Sequence, residues 1–408
     1  MKINLFYDKI PTNMANRKDF KMNKKISNNI TYVGVNDREV DLFESQYIVP
    51  NGMSYNSYVI RDEKIVIMDT VDQAKTDEWL INVKDALDGK LPDYLVISHM
   101  EGDHSGSIET LITEYPEMKI IGNIKTLQMF NQFFEEDISG RQIEVKEGES
   151  FNIGNGSLQF FMAPMVHWPE VMFTYYTEDK ALFSADGFGK FGDLDTDEEW
   201  IDEARRYYYN ICGKYGPQVQ AILKKASALD IKMICPLHGP ILNENLEYYI
   251  NLYDKWSKYE PEEDAILIPY CSIHGNTEEA AIALGDILVN RGKKVILKDL
   301  AREDISEVVA DAYKYSKMIV ISVTYNMSVF PAMNQFLTLL KEKAYQNRTV
   351  GIIQNGSWAP NSANVMKKYF EEMKNIIILE PIVTIKSRLN DESLDNLIEL
   401  ANAISNNN

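Results

Sequence analysis

Two imidazoles and two carboxylates fall within six residues at His99-Met100-Glu101-Gly102-Asp103-His104. The cluster follows an apolar run, Tyr94 to Ile97, that reads as a buried strand. Positions five apart point away from each other on a helix, and Gly102 interrupts one, so no single helix face can present all four groups. A tight loop after a strand can turn them inward. A scaffold of strands and loops is therefore required, and further ligands must come from other strand ends. Three candidates stand in such places. His167 follows Ala163-Pro164-Met165-Val166, Asp186 follows the apolar run Ala181 to Ser184, and His238 lies between Pro236 and Gly239. A lone loop histidine is ordinarily a surface or hydrogen-bonded residue. The density at 99–104 together with these partners points instead to a metal site. Asp69, at the end of the apolar run Lys64 to Met68, reads either as the polar end of a buried strand or as an acceptor that orients a ligand histidine.

The chain has 408 residues, enough for two or three domains with ordinary cores. Its net charge of −19 argues against nucleic acid and anionic membrane as partners. Cys212, Cys235 and Cys271 form no C-x-x-C pair, so no zinc-ribbon, rubredoxin-like or thioredoxin-like element is expected. Scattered thiols suit a reducing compartment. No apolar run approaches the ~20 residues of a membrane span, and the polar N-terminus lacks the apolar stretch of a secretory signal. A cytoplasmic protein is expected.

The periodicity divides the chain. Residues 1–27 are expected to be a disordered extension. From Ile30 to Asp69 the pattern is a strand meander, followed by a helix over 73–87. Strands and helices then mix: helices over 125–134, 200–211 and 219–228, and strands over 144–151, 158–162, 172–176 and 180–184. A charged, Pro-containing segment, 257–264, reads as a linker. Beyond it, strands near 265–270, 295–298, 318–323, 349–354 and 376–378 alternate with helices. That is the rhythm of a doubly wound parallel sheet. The expected domains are 28–256 and 265–408.

Three loops at the carboxyl edge of the second sheet look like one ligand site. Ser272-Ile273-His274-Gly275-Asn276-Thr277 joins a strand to a helix, whose first N–H groups and nearby hydroxyls can cradle a phosphate. No Lys or Arg lies in this loop, which suits a monophosphate better than a triphosphate. Thr324-Tyr325-Asn326 and Asn355-Gly356-Ser357-Trp358-Ala359 follow the next two central strands. Tyr325 and Trp358 are candidates to flank a flat aromatic ring system. The role of His274 stays open: phosphate or ring.

The first half resembles the metallo-β-lactamase-type domain in the order of Asn56-Ser57-Tyr58, Asp69-Thr70, the 99–104 cluster, His167, Asp186 and His238. Where the hydrolases carry histidine, this chain has Glu101. Four imidazoles and three carboxylates fit a non-haem di-iron centre better than dizinc. The second half resembles flavodoxin, and the whole chain is similar to the flavodiiron proteins. The resemblance implies an α+β metallo-β-lactamase-like αββα sandwich followed by an α/β flavodoxin-like doubly wound parallel sheet. It implies FMN and two iron ions, the first iron on His99, Glu101 and His167 and the second on Asp103, His104 and His238, with Asp186 bridging. It further implies reduction of O2 to water, of NO to N2O, or both. Electrons would come from an external donor, a rubredoxin-type protein or a reduced deazaflavin. A head-to-tail homodimer, or a dimer of such dimers, would set one subunit's FMN beside the other's irons. With no C-x-x-C element, the minimal two-domain form is expected. The competing reading is a metallo-β-lactamase-fold metal hydrolase with an accessory flavodoxin-like module; Glu101 and the complete set of flavin loops speak against it.

Overall fold

A computed structural model describes residues 24–407. Most of the expected N-terminal extension, 1–23, lies outside the described residues. Lys24–Lys25 form a short strand paired with Ile30–Tyr32.

Two sheets face each other in the first half. One has seven strands, running in space from Lys24–Lys25 through Ile30–Tyr32, Tyr58–Arg61, Ile65–Met68, Tyr94–Val96 and Lys119–Gly122 to Gln142–Glu144. It is antiparallel up to Ile65–Met68 and parallel beyond. Strict alternation gives it two apolar faces. Tyr58, Met68, Val96 and Ile121 are in register and point inward. Val59, Ile67 and Leu95 point outward, where Trp79, Val83 and Leu87 of the helix Thr76–Leu87 cover them. The second sheet orders Ser150–Asn152, Ser157–Met162, Met172–Tyr176, Ala181–Phe183 and Met233–Cys235. Its outer face, with Phe173 and Leu182, is covered by the helices Gly216–Ala226 and Leu246–Ser257. This is the expected αββα sandwich.

The third sheet is parallel in its main path, ordered Val295–Asp299, Glu263–Cys271, Tyr315–Tyr325, Arg348–Asn355 and Ile376–Ile378. By chain order that is 2-1-3-4-5, the flavodoxin arrangement, whose ligand crevice lies where the order reverses. Among the described residues, no helix is long and apolar enough to cross a membrane.

Three local expectations need correction. The single strand over 144–151 is two strands, one in each sheet of the sandwich, because the chain turns at Lys146–Glu149 with Gly148 at φ 73°. The helix over 200–211 is α-helical only over Trp200–Tyr207 and continues as a π-helical turn, Tyr208–Cys212. The 99–104 cluster includes one turn of helix, Gly102–Ser105, so Gly102 begins a helix rather than breaking one.

The two halves are joined by buried polar contacts. Arg205 makes a two-pronged pair with Glu262, which also accepts from the Trp256 indole. Arg348, 3% exposed, donates to the carbonyls of Tyr259, Tyr313 and Tyr315, fastening the end of the sandwich to the start of the central strand. Tyr209 stacks on Tyr313 with centroids 4.0 Å apart. Arg348→Met is expected to strand these three buried carbonyls. At roughly 1 kcal/mol each, it should destabilise the fold by about 3 kcal/mol, read as a lower urea-unfolding midpoint.

Candidate metal centre

All seven predicted ligands converge between the two sheets of the sandwich. His99 follows the strand Tyr94–Val96, and Glu101 immediately precedes the helical turn that carries Asp103 and His104. His167 sits in the loop between Ser157–Met162 and Met172–Tyr176. Asp186 and His238 follow the neighbouring parallel strands Ala181–Phe183 and Met233–Cys235. Strand pairing therefore fixes their spacing before any ion arrives.

The side chains form two groups, His99, Glu101, His167 and Asp186 in one and Asp103, His104 and His238 in the other. In the first, Glu101 Oε2 lies 3.1 Å from His99 Nε2 and 3.0 Å from His167 Nε2. In the second, Asp103 Oδ2 lies 3.3 Å from His104 Nε2 and 3.2 Å from His238 Nε2. Asp186 faces both. Its Oδ2 is 3.0 Å from His167 Nε2, and its Oδ1 is 3.3 Å from His104 Nε2.

The donor set fits cations. The four carboxylate oxygens of Asp103 and Asp186 are buried and make no well-aligned hydrogen bond. Burying such groups is costly unless a positive charge compensates. Burial pushes the Asp186 carboxyl up, yet the surrounding imidazoles, His99 foremost, hold it well below the usual carboxylate range. Burial likewise opposes a charge on His167, but the Asp186 and Glu101 carboxylates, each 3.0 Å from its Nε2, raise it to about 9. The same donors would face a bound cation, and a metal taking the imidazole nitrogens would displace their protons. The mixed imidazole and carboxylate set suits iron.

Outer contacts aim the imidazoles. His238 Nδ1 lies 2.7 Å from the Ser54 carbonyl, which can only accept, so Nδ1 carries the proton and Nε2 faces the site with its lone pair. His99 Nδ1 lies 2.8 Å from Glu170 Oε1, which also accepts from Met100 N–H. Burial opposes ionisation of Glu170, but the His99 imidazole holds its carboxyl below the usual range. The Trp168 ring stands edge-on to His99 at 5.2 Å. Sequence reasoning missed Glu170, although a carboxylate three residues beyond His167 was a usable signal. It also missed Ser54, which acts through its backbone. Asp69 accepts from Ser98 N–H at 2.6 Å, so it braces the chain one residue before His99. Burial raises its carboxyl to about 6.

A second cavity, of about 460 Å³, opens at the carboxyl ends of the central strands of the third sheet. Ser272, Ile273, His274, Asn276 and Thr277 line one end, and Thr324, Tyr325, Asn326, Asn355, Gly356, Ser357 and Trp358 the other. Val323 and Met327, from the same loop as Tyr325, line it too, as does Ser387; Gly275 and Ala359 do not line it. Gly275, at φ 91°, makes the turn into the helix Asn276–Val289, and its N–H bonds the Ser272 hydroxyl. Asn355 ties its loop to Ser387 through both of its amide atoms. A Cβ on Gly356 would lie 3.3 Å from the Thr324 hydroxyl, so glycine lets these two loops close on each other. Trp358 is 80% exposed and Tyr325 43%. The free N–H groups at the helix start and two unburied rings fit a flat aromatic ligand bearing a phosphate.

Residues 53–239 match the model of the ODP family beta lactamase. The chain is 31% identical to the anaerobic nitric oxide reductase flavorubredoxin of Escherichia coli, over 82% of this chain and 72% of that one. Among solved structures, rubredoxin oxygen:oxidoreductase from Desulfovibrio gigas superposes with a TM-score of 0.88 at 26% identity, covering 94% of this chain and 98% of that one. The flavodiiron protein of Giardia intestinalis gives 0.84 at 25%, covering 94% and 97%. With the sandwich, the divided ligand cluster and the flavodoxin-type crevice in one chain, these likenesses show that the protein belongs to the flavodiiron proteins.

Proposed function

We propose that the protein is a cytoplasmic oxidoreductase that reduces O2 to water, NO to N2O, or both, at a non-haem di-iron site. The observation that carries this reading is the seven-residue cluster divided by Asp186, with Glu101 in place of a third imidazole on the first side. His99, Glu101 and His167 would hold one iron, Asp103, His104 and His238 the other, with Asp186 between them. FMN, held by the 265–408 domain, would relay electrons from an external donor to the iron pair in the 28–256 domain, where a diatomic molecule is reduced.

The chain's own residues shape this chemistry. Phe43, Tyr55 and Tyr207 pack around the His238 ring and keep it from solvent. The first side is more open, with the Glu101 side chain 19% and that of His167 10% exposed. It opens onto a recess lined by His167, Trp168, Lys214, Tyr215 and Lys343. Lys343, from the 265–408 domain, donates to the Asn210 carbonyl at 2.7 Å. Substrate and electrons would enter here, and a head-to-tail dimer would bring the flavin of a second copy to this face. A rubredoxin-type protein or reduced deazaflavin would be the donor.

Purified protein is expected to carry about one flavin and about two irons per chain and, once reduced anaerobically, to consume O2 or NO with a rubredoxin-type donor. Zinc without flavin, accompanied by ester or lactam hydrolysis, would overturn the proposal.

A further inference from the structure

The crevice assigned to FMN is nearly free of charge. Of the fifteen residues lining it, His274 is the single one able to carry a positive charge near neutral pH. Tyr325 is the only other titratable side chain there, and a phenol can add only negative charge. The flavin monophosphate carries close to two negative charges at neutral pH. The electrostatics beyond the lining add little help. Glu278 and Glu279 lie in the first turn of the helix that begins at the phosphate end, opposing the favourable helix start. Glu278 also lies 3.5 Å from the Tyr270 hydroxyl, on the strand that enters the loop. At the end of the neighbouring strand, Asp299 pairs with the exposed Arg302. Lys386 and Arg388 flank the lining residue Ser387, but both are exposed and neither lines the crevice. The whole chain carries −19.

From this charge inventory, and resting on the FMN reading above, we infer that His274 is the phosphate-recognition residue, a protonatable cation that makes the crevice select flavin monophosphate over riboflavin. Its place allows this. It stands in the turn Ser272–Gly275, where the Gly275 N–H to Ser272 hydroxyl bond folds the loop ahead of the helix start. It is solvent-exposed, so its charged form costs little desolvation. A bound phosphate stabilises the imidazolium, so binding takes up a proton when the site starts neutral. An imidazolium beside the phosphate adds to binding at low pH, and that contribution is lost as pH rises. Protonation of the phosphate itself, near pH ~6, acts in the opposite direction. The signature of His274 is accordingly the difference between wild type and variant, not the wild-type profile alone.

The test is flavin binding by the full chain, freed of cofactor by dialysis and titrated with FMN or riboflavin between pH 6 and 9 by quenching of flavin fluorescence. His274→Ala is expected to raise the Kd for FMN roughly 10-fold near pH 6.5, the scale of one charge-assisted contact, and to leave riboflavin unchanged. The gap between wild type and variant should close toward pH 9. His274→Lys, a cation across this range, should restore FMN binding and hold it at pH 9. Equal losses for FMN and riboflavin, or a gap independent of pH, would overturn the role of His274 while leaving the cofactor reading intact. Failure of the wild-type chain to bind either flavin would overturn both.

Discussion

Asp186→Asn is expected to empty both metal positions at once. Its two oxygens are divided between the groups, Oδ2 toward His99 and His167 and Oδ1 toward His104 and His238. The amide supplies one neutral oxygen and turns an N–H pair toward imidazole nitrogens that are themselves meant to face a cation. Losing an outer hydrogen-bond partner of a ligand costs 10–100-fold, so losing a shared ligand should exceed the upper end, roughly 100-fold or more in turnover. Iron per chain should fall to a small fraction of the wild-type value. Flavin content should not change, because the crevice of the third sheet shares no residue with the cluster. Metal analysis and the flavin absorbance of one sample read both. Full iron content in the variant would show that Asp186 is not shared; loss of flavin as well would show that the two sites are not separate.

Glu170→Ala should act on one side only. It removes the acceptor of His99 Nδ1 and of Met100 N–H, both buried, and frees the His99 ring to rotate. The expected cost is about 10–100-fold in iron affinity or turnover, measured by competition with a chelator. Glu170→Gln keeps a carbonyl oxygen for the same two donors but loses the charge, so it should fall between wild type and alanine. Equal losses in the two variants would mean that the charge of Glu170 matters and that its acceptor oxygen and volume do not.

Which parts of this site were legible in the sequence follows from how each residue does its work. His99, Asp186 and His238 each stand just past a short apolar run, and such runs announce strands whose ends converge. His167, just past Ala163-Pro164-Met165-Val166, was legible in the same way. Glu170 lies in a polar loop with no period, and nothing local separates a buried carboxylate there from a solvated one. Ser54 contributes a carbonyl that every residue has. The fold shows the same division. Alternating Tyr58-Val59-Ile60 and Val66-Ile67-Met68 read directly as strands with two apolar faces. The stretch from Glu144 to Phe151 carries a turn signal, Lys146-Glu147-Gly148-Glu149, but local sequence cannot say that the strands on either side of it join different sheets. The π-helical turn at Tyr208–Cys212 is equally silent, because one extra residue per turn barely disturbs an aromatic-rich pattern buried on all sides.

The arginine clamp between the halves has a bearing on engineering. Arg348 belongs to the flavodoxin-type sheet but holds a carbonyl of Tyr259, while Arg205 of the sandwich grips Glu262 at the threshold of that sheet. The joint is thus built from both sides and is not a flexible tether. A flavodoxin grafted onto this sandwich as a spare part would lack its half of the joint, and the hybrid would carry two competent cofactor sites on bodies free to tumble. Domain-swapped chimeras of this protein should therefore be cut so that Arg205, Glu262 and Arg348 travel together.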